Sequence, residues 1–562
     1  MNENNKHWSR IDAVCLVAIL VSALLLRFPP YWPSYLSGDS SNYVKLAWSM
    51  RYAPHVDHLS GVMYSFGYPI FIYMVSFITN SFDNAAIAVS VFFGVLSPVL
   101  IYVLGRGMFG RKAGVTAGLG LALFQPHVAV SMQALSESTY IFWLLAAVWL
   151  LAGGLARPRP LYHYFITGAV FGFAFIIRPE VQVSLAAMLA VGLYLLWSRH
   201  RQSARRLAMV VVLLFAAFAA VNVPKVLWLH HATGNWMLDA RKNFTVGSIG
   251  NYQDGLARHA DYPELKHGLE ESNYGISPRG ELNYTEKRSF GRWLLENPGR
   301  RLSYYWRNLK VSLGNVTVPV AVLVLLSALS IVLGGKGVRQ DSVFLAASFS
   351  PIIMVPFFYS IGGGSWYGRP EPAVAFAPIL ILLGSAGLWL ALAKSKEVWK
   401  DKATTAIYTQ LALLFVIWGL PAAKDWQLVR HWGEEAPRDE HIEMDMTTGV
   451  WLANNLPHGV KVMVRPWEIA RYCNREREML PYAEYPRVIE YARRKQVGYI
   501  VVGGAREWVR PQLDFLLPPN NKACSGRYSK DLDMVYDTEG VWKGSEVRPY
   551  YVAVYRVKPQ PE

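Results

Sequence analysis

The chain lacks a nucleotide-binding signature. Gly362-Gly363-Gly364 follows an apolar run and is not succeeded by Lys-Ser or Lys-Thr, which a phosphate-cradling loop needs. It also lacks low-complexity segments and the internal repeat that many transporters carry. Cysteine is scarce, and its three copies constrain little. Cys15 lies in the first apolar run, whereas Cys473 and Cys524 lie in the tail, where an oxidising compartment permits a disulfide. Two small buried residues that never meet are the alternative. Acidic residues are also few, 40 against 56 Lys and Arg, and the resulting formal charge of +16 would point to nucleic acid in a soluble protein. The distribution of the basic residues argues against such a partner. They cluster in short loops between apolar runs: Arg106, Arg111 and Lys112; Arg157 and Arg159; Arg199, Arg201, Arg205 and Arg206; Lys336 and Arg339; and Lys394, Lys396, Lys400 and Lys402. That pattern reads as anchors on the cytoplasmic side of a membrane.

What is present agrees. The apolar share of 52% and mean hydropathy of +0.18 exceed those of an ordinary soluble domain but are modest for a pure transporter, and the polar last third accounts for the difference. With the basic loops inside, spans fall near 11–28, 85–105, 112–130, 136–156, 161–177, 180–197, 207–229, 316–334, 343–361, 372–393 and 405–421. That predicts a polytopic α-helical membrane protein of about 11 transmembrane helices, N-terminus cytoplasmic and C-terminus outside. Lys6 and Arg10 precede the first span, which has no convincing small-residue cleavage site after it and reads as an uncleaved anchor. Tyr31, Trp32 and Tyr35 fit an aromatic belt. Tyr68–Thr79 is apolar but shorter than the roughly 17 residues of a span and reads as an interfacial helix. Gly118-Leu119-Gly120, within a span, reads as close helix packing.

Three regions are then extracytoplasmic: 29–84, 230–315 and the chain beyond Lys424. Residues 1–422 form the membrane domain, and residues 423–562 read as a soluble α/β domain. In that domain Val460–Val464, Gly498–Val502 and Tyr550–Val557 are strand-like, and Tyr485–Arg494 has helical spacing.

Charged residues beside spans are costly and persist when paired or useful. Here they gather at the outer boundary: Asp39 in Gly38-Asp39-Ser40-Ser41-Asn42-Tyr43, Glu137, Arg178-Pro179-Glu180, Arg241 and Lys242, and Trp366-Tyr367-Gly368-Arg369-Pro370-Glu371. Asn222, Pro224 and Lys225 interrupt the seventh span. A ring of charge there suits an active site facing the outer leaflet. Each member also has a plainer role: Asp39 as a helix N-cap, Glu137 as a first-turn charge favoured by the helix dipole, Arg178 and Glu180 as a pair, Arg369 as a headgroup anchor, Tyr43 in packing. His55-Val56-Asp57-His58 has metal donors but not the spacing of a structural zinc site.

Gly38-Asp39 with Tyr43, Tyr68-Pro69, Pro126 through Ser136-Glu137, the Arg178-Pro179-Glu180 turn, and Arg369 followed by Pro370 and Pro372 come in an order and topology that resemble a known class. That class is the GT-C integral-membrane glycosyltransferases, which use polyprenyl-phosphate sugars and include protein O-mannosyltransferases and the ArnT-like aminoarabinose transferases of lipid A. In the tail, Trp451-Leu452 with Asn455 and Pro457, Leu480-Pro481 and Gly498–Val502 resemble the outer domain of many bacterial members. Members often have Asp-Glu where this chain has Asp39-Ser40, a departure that leaves the acid in place. The Trp-Trp-Asp-Tyr-Gly signature of oligosaccharyltransferases is absent.

The resemblance implies a GT-C fold in a bacterial inner membrane and an inverting, single-displacement transfer from a polyprenyl-phosphate sugar to a lipid, glycan or protein hydroxyl, with no cofactor. The chemistry leads to the same residues. Beyond the cytoplasm an activated sugar must arrive on a lipid phosphate, and its transfer needs a base for the acceptor proton and cations for the departing phosphate. Asp39 is the expected base. Arg178, Arg241 and Arg369 are the expected phosphate ligands, because a guanidinium matches phosphate geometry. Glu137, Tyr43, Tyr367 and Glu180 are expected beside sugar or acceptor. A lipid-diphosphate-dependent ligase or polymerase is the nearer rival, and a flippase or transporter the more distant one.

Overall fold

In the computed structural model, residues 8–28, 39–52, 64–156, 159–179, 181–201, 203–233, 236, 238–239, 275–276, 282–283, 318–347, 371–399, 440–464, 467–478, 480–481, 484–503, 511–518, 520–538 and 551–559 are described. Helix α1 (Arg10–Arg27) starts at a capping box, in which the Asp12 backbone N–H donates to Ser9 Oγ at 3.3 Å and Ser9 N–H to Asp12 Oδ2 at 2.8 Å. It packs on α4 (Phe82–Phe109) and α5 (Arg111–Leu123), while Val14, Val17, Val21 and Leu25 stay exposed on its far face. The expected close packing at Gly118 is present: a Cβ there would lie 2.6 Å from Ile19 Cδ1 and 3.2 Å from the Pro98 carbonyl. Two shorter helices, α2 (Asp39–Tyr52) and α3 (Gly67–Thr79), fill the stretch between α1 and α4.

The segment expected as one span over 112–130 is broken. Helix α5 ends at Leu123, Phe124 is extended, and α6 (Gln125–Ser131) leaves at 57° with Pro126 in its first turn. Such a break strands carbonyls where water is absent. Arg27, fully buried at the end of α1, takes them: Nη1 donates to Ala122 O at 3.0 Å and to Ala23 O at 3.2 Å, and Nη2 to Leu121 O at 3.5 Å and to His127 Nδ1 at 2.6 Å. Arg27 donates only, so the His127 proton sits on Nε2.

Then come α7 (Glu137–Ala156), α8 (Leu161–Ile177), α9 (Val181–His200) and α10 (Ala204–Thr233). Helix α10 runs through Asn222, Pro224 and Lys225, where an interruption was expected. Asn222 Nδ2 donates to Phe218 O at 2.8 Å and to Gly172 O of α8 at 3.3 Å, so the amide donors are used inside the bundle, while Oδ1 is buried without a hydrogen-bond partner among the described residues. A two-residue hairpin, β1 (Gly275–Ile276) with β2 (Leu282–Asn283), and helices α11 (Val318–Val332), α12 (Lys336–Ala347) and α13 (Glu371–Trp399) follow. Among the described residues, four helices are long and apolar enough to cross a membrane, and the bent pair makes a fifth. Gly67–Thr79, Leu161–Ile177 and Ser184–Ser198 are shorter apolar helices. The expected span 405–421 and most of 343–361 lie outside the described residues.

The tail forms a five-stranded sheet in the order β4 (Glu476–Glu478), β3 (Lys461–Val464), β5 (Val497–Gly503), β7 (Val552–Val557), β6 (Leu532–Asp537). The first three strands are parallel and the last two antiparallel to their neighbours. Alternation along each strand sends Val462, Val464, Val501 and Val554 to one face and Met463, Ile500, Val502 and Tyr555 to the other. The first face packs with α14 (Glu440–Asn455) and α15 (Trp467–Cys473), the second with α16 (Tyr485–Arg494) and the segment around Leu513–Tyr528. Both faces are covered, which is why the central strands read as continuous apolar runs. Cys473 belongs to one face and Cys524 packs on the other, and both are free thiols. Burial pushes the Cys473 thiol up in pKa, so it stays protonated and unreactive.

The sheet domain sits on the membrane bundle through α15. Trp48 of α2 packs into its Val462–Val501 face, and the Arg471 guanidinium pairs with Asp83 in the first turn of α4. Burial lowers the Arg471 pKa. The N-terminus of α1 lies at the other end, where Asp12 meets Arg106 and Arg111.

Candidate active site

Helix α7 begins where the neighbouring α8 ends, so Glu137 and Arg178 face each other across two helix termini. Each charge suits its terminus, the carboxylate at an N-terminus and the guanidinium at a C-terminus. They form an ion pair through Arg178 Nη1 and Glu137 Oε1, with side-chain exposures of 11% and 8%. Glu137 thus binds across helices to Arg178. Its second oxygen, Oε2, is buried without a hydrogen-bond partner among the described residues. The Arg178 Cζ also lies 5.9 Å from the Tyr140 ring centroid.

The break after α5 places this pair. The short α6 and the turn after it carry the chain to Leu135-Ser136-Glu137, and two hydroxyls fix that turn. Ser90 Oγ of α4 donates to Leu135 O at 3.0 Å, and Ser136 Oγ lies 3.0 Å from the Tyr43 hydroxyl. Ser138 Oγ donates to Ser131 Oγ at 3.2 Å, tying the start of α7 back to α6. The Tyr68 hydroxyl donates to Ala86 O at 2.7 Å and lies 2.8 Å from Ser90 Oγ. Tyr43 stands edge-on to Tyr68 and Tyr64 at centroid distances of 5.2 and 5.4 Å. Gly67 has no alternative here, since a Cβ would come within 2.8 Å of the Ile177 backbone nitrogen, one residue before Arg178.

This aromatic set positions α2. Asp39 is its first residue, one turn, about 6 Å along the axis, before Tyr43 and on the same helical face. The backbone of Asp39 therefore stands one turn from the Tyr43–Ser136 contact that adjoins Glu137. The residue is the first of the helix, where a helix starting near Ser40 with Asp39 as its cap was expected. Its side chain lies outside what the structure describes.

A second buried pair borders the first. Lys225 Nζ of α10 lies 3.4 Å from Asp239 Oδ1 and 3.5 Å from Ser65 Oγ, and 5.0 Å from the ring of Phe175, one turn before Arg178. Phe66 packs edge-on to Trp228 at 4.6 Å, holding the start of α3 against α10. The sequence showed Lys225 only as a charge inside a span. Tyr68 was visible as part of a motif without a role. The contacts that define them join segments with no local relation in the chain.

Of the expected site residues, Tyr43, Glu137 and Arg178 come together, and Asp39 starts the helix that carries Tyr43. Glu180, Arg241, Tyr367 and Arg369 lie outside the described residues, as does His55-Val56-Asp57-His58. Among the described residues, no group of three His, Cys, Asp or Glu side chains is placed to hold a metal.

Residues 65–228, from Ser65 beside Lys225 through Glu137 and Arg178, match the family model of the dolichyl-phosphate-mannose-protein mannosyltransferases. No curated protein matches the chain. Among solved structures, ArnT from Cupriavidus metallidurans in the apo state is 12% identical, with a TM-score of 0.54 over 98% of this chain and 99% of that one. The same protein bound to undecaprenyl phosphate gives a TM-score of 0.50 over the same shares. The archaeal oligosaccharyltransferase AglB from Archaeoglobus fulgidus, in complex with an inhibitory peptide and a dolichol-phosphate, is 14% identical, with a TM-score of 0.51 over 87% of this chain and 69% of that one. The fold is that of the GT-C glycosyltransferases, as the sequence resemblance implied.

Proposed function

We propose that the protein is a bacterial inner-membrane glycosyltransferase that moves a sugar from a polyprenyl phosphate to an acceptor hydroxyl at the extracytoplasmic face. One observation carries the reading: the buried Glu137–Arg178 pair, with a spare carboxylate oxygen, assembled from two helix ends beside the start of the Asp39 helix. The bound lipid phosphates of the ArnT and AglB structures, on the same fold, support the choice of donor.

In this reading Asp39 takes the proton of the acceptor hydroxyl as its oxygen attacks the anomeric carbon. The bond from that carbon to the phosphate oxygen breaks, the sugar inverts, and polyprenyl phosphate leaves. Arg178, with Arg241 and Arg369, stabilises the charge that grows on the phosphate, and Glu137 holds Arg178 while its free oxygen receives a sugar or acceptor hydroxyl. Tyr43, Tyr367 and Glu180 border the sugar. No metal is required. The sheet domain, docked at the Asp39 end, is placed to help choose the acceptor.

The test is transfer by purified full-length protein from radiolabelled polyprenyl-phosphate sugars, wild type against Asp39→Asn. A loss of at least about 10²-fold with folding and donor binding retained is expected of a missing base. Unchanged transfer moves the chemistry elsewhere. Transfer only from a lipid diphosphate favours the ligase or polymerase class.

A further inference from the structure

The end of the bundle opposite Glu137 and Arg178 holds a cavity of about 470 Å³. It opens where α4 turns into α5 at Gly110, some 24 residues along α4 from Ala86, or roughly 36 Å at the rise of an α-helix. Arg111 and Lys112 line it, with Phe109, Val338, Trp389 and Leu390 among its apolar walls, and no carboxylate is among its described lining residues.

We propose that this cavity binds an anionic glycerophospholipid of the leaflet at the basic end, its phosphate on Lys112 and Arg111 and its acyl chain along α13. The two cations differ in what already holds them. Arg111 Nε donates to Asp12 Oδ1 at 2.9 Å and its Nη2 to Ser9 Oγ at 2.9 Å, which locks the guanidinium in place. Asp12 is shared with Arg106, so one negative charge meets two positive ones and the trio keeps a net positive charge. Lys112 is exposed, and its Nζ lies over the Trp389 ring, 5.0 Å from the centroid. The indole is fixed by its own bond, Nε1 to Thr116 Oγ1 at 3.0 Å. Helix α5 starts at this wall without a side-chain cap, which adds its positive dipole end. The apolar stretch of α13 ends at Lys394, next to the lining residue Ala393, so the cavity lies at membrane-boundary depth. Basic pockets between helices at that depth suit anionic headgroups. Among the described lining residues there is no carboxylate to receive the ammonium of a zwitterionic headgroup, and the cations Arg111 and Lys112 favour a net anion.

Full-length protein in nanodiscs of phosphatidylglycerol and phosphatidylcholine in equal parts, extracted gently and weighed by native mass spectrometry, reads the preference. Retention of phosphatidylglycerol over phosphatidylcholine by about five-fold or more is expected, given the contribution of a single cation near a membrane surface. Lys112→Glu should erase the preference, and Ala386→Trp, which fills the apolar part of the cavity, should lower retention of both lipids. Equal retention of the two lipids by wild type overturns the proposal, and so does a preference that both variants keep. Inorganic phosphate that raises the melting temperature as much as phosphatidylglycerol does would reduce the site to a simple anion site and likewise overturn it. The wild-type comparison decides the matter even where one variant fails to fold.

Discussion

Two carboxylates are buried at opposite ends of the same bundle, and their surroundings differ. Asp12 accepts from Arg106, Arg111, Tyr102, Ser9 Oγ and its own cap backbone, at 2.8 to 3.3 Å. Both of its oxygens are fully used. Among the described residues Glu137 has one guanidinium partner on one oxygen and none on the other. A saturated carboxylate closes a structure, because any further partner would have to displace one already there. A half-satisfied one carries a desolvation cost that a bound hydroxyl relieves. Burial alone would rank the two residues alike, and the count of satisfied lone pairs is what separates the joint from the site.

Asp12→Asn and Glu137→Gln test that difference most directly. The first leaves two guanidinium groups without their carboxylate and should destabilise the protein by about 3 kcal/mol or more, with transfer per folded molecule unchanged. The second leaves one guanidinium at a helix C-terminus that already favours it, and should cost about 1 kcal/mol of stability. Its transfer should fall by about 10²-fold, as expected when a positioning contact is lost. Thermal unfolding and initial-rate assays on both variants check the pair, and a Glu137→Gln enzyme with full activity would make the two carboxylates equivalent.

The Arg27 cluster lies at the end of α1 remote from Asp12. Arg27→Met keeps an apolar stem and loses every donor, leaving the Leu121 and Ala122 carbonyls without the guanidinium at the break. About 2 to 3 kcal/mol is expected, from unfolding measurements, because unsatisfied buried carbonyls cost about 1 to 3 kcal/mol each. Arg27→Lys should recover part of this through one donor at a time. Activity should fall with Arg27→Met as well, since the break sets where Ser136 and Glu137 emerge.

None of this clamp was legible in the sequence. A single arginine at the end of an apolar run looks the same whether it anchors in headgroups or reaches a carbonyl 95 residues away. Pro126 was the one local sign of the break, and apolar content on both sides of it outweighed the sign. The sheet domain was more legible. Val460–Val464, Gly498–Val502 and Tyr550–Val557 matched strands to within two residues at each end because central strands are apolar on both faces. Edge strands Glu476–Glu478 and Leu532–Asp537 were missed, since charged edges that deter pairing read as loop. In the site, the residue types at Asp39, Glu137 and Arg178 were readable from charge beside apolar runs. The pairing of Glu137 with Arg178 depends on helices meeting end to end, and that of Lys225 with Ser65 on segments far apart in the chain, which no spacing along one chain encodes.

The contact between the two halves of the molecule offers the smallest and cleanest test. Trp48 supplies apolar area to the sheet face, and Arg471 with Asp83 supplies charge at 18% and 26% side-chain exposure. Apolar burial should dominate. Trp48→Ala should weaken docking by about 2 kcal/mol, below the cost of a fully buried aromatic because Trp48 is only partly covered. The ion pair is partly exposed, and a double-mutant cycle on Asp83→Ala and Arg471→Ala should give a coupling of about 1 kcal/mol or less. Protease protection of the sheet domain in the intact protein reads both. Transfer should follow docking in the same order if the domain helps choose the acceptor, so that Trp48→Ala alters acceptor KM more than Asp83→Ala does. A tail released by Trp48→Ala with acceptor KM unchanged would separate the domain from the chemistry and leave the site to the bundle alone.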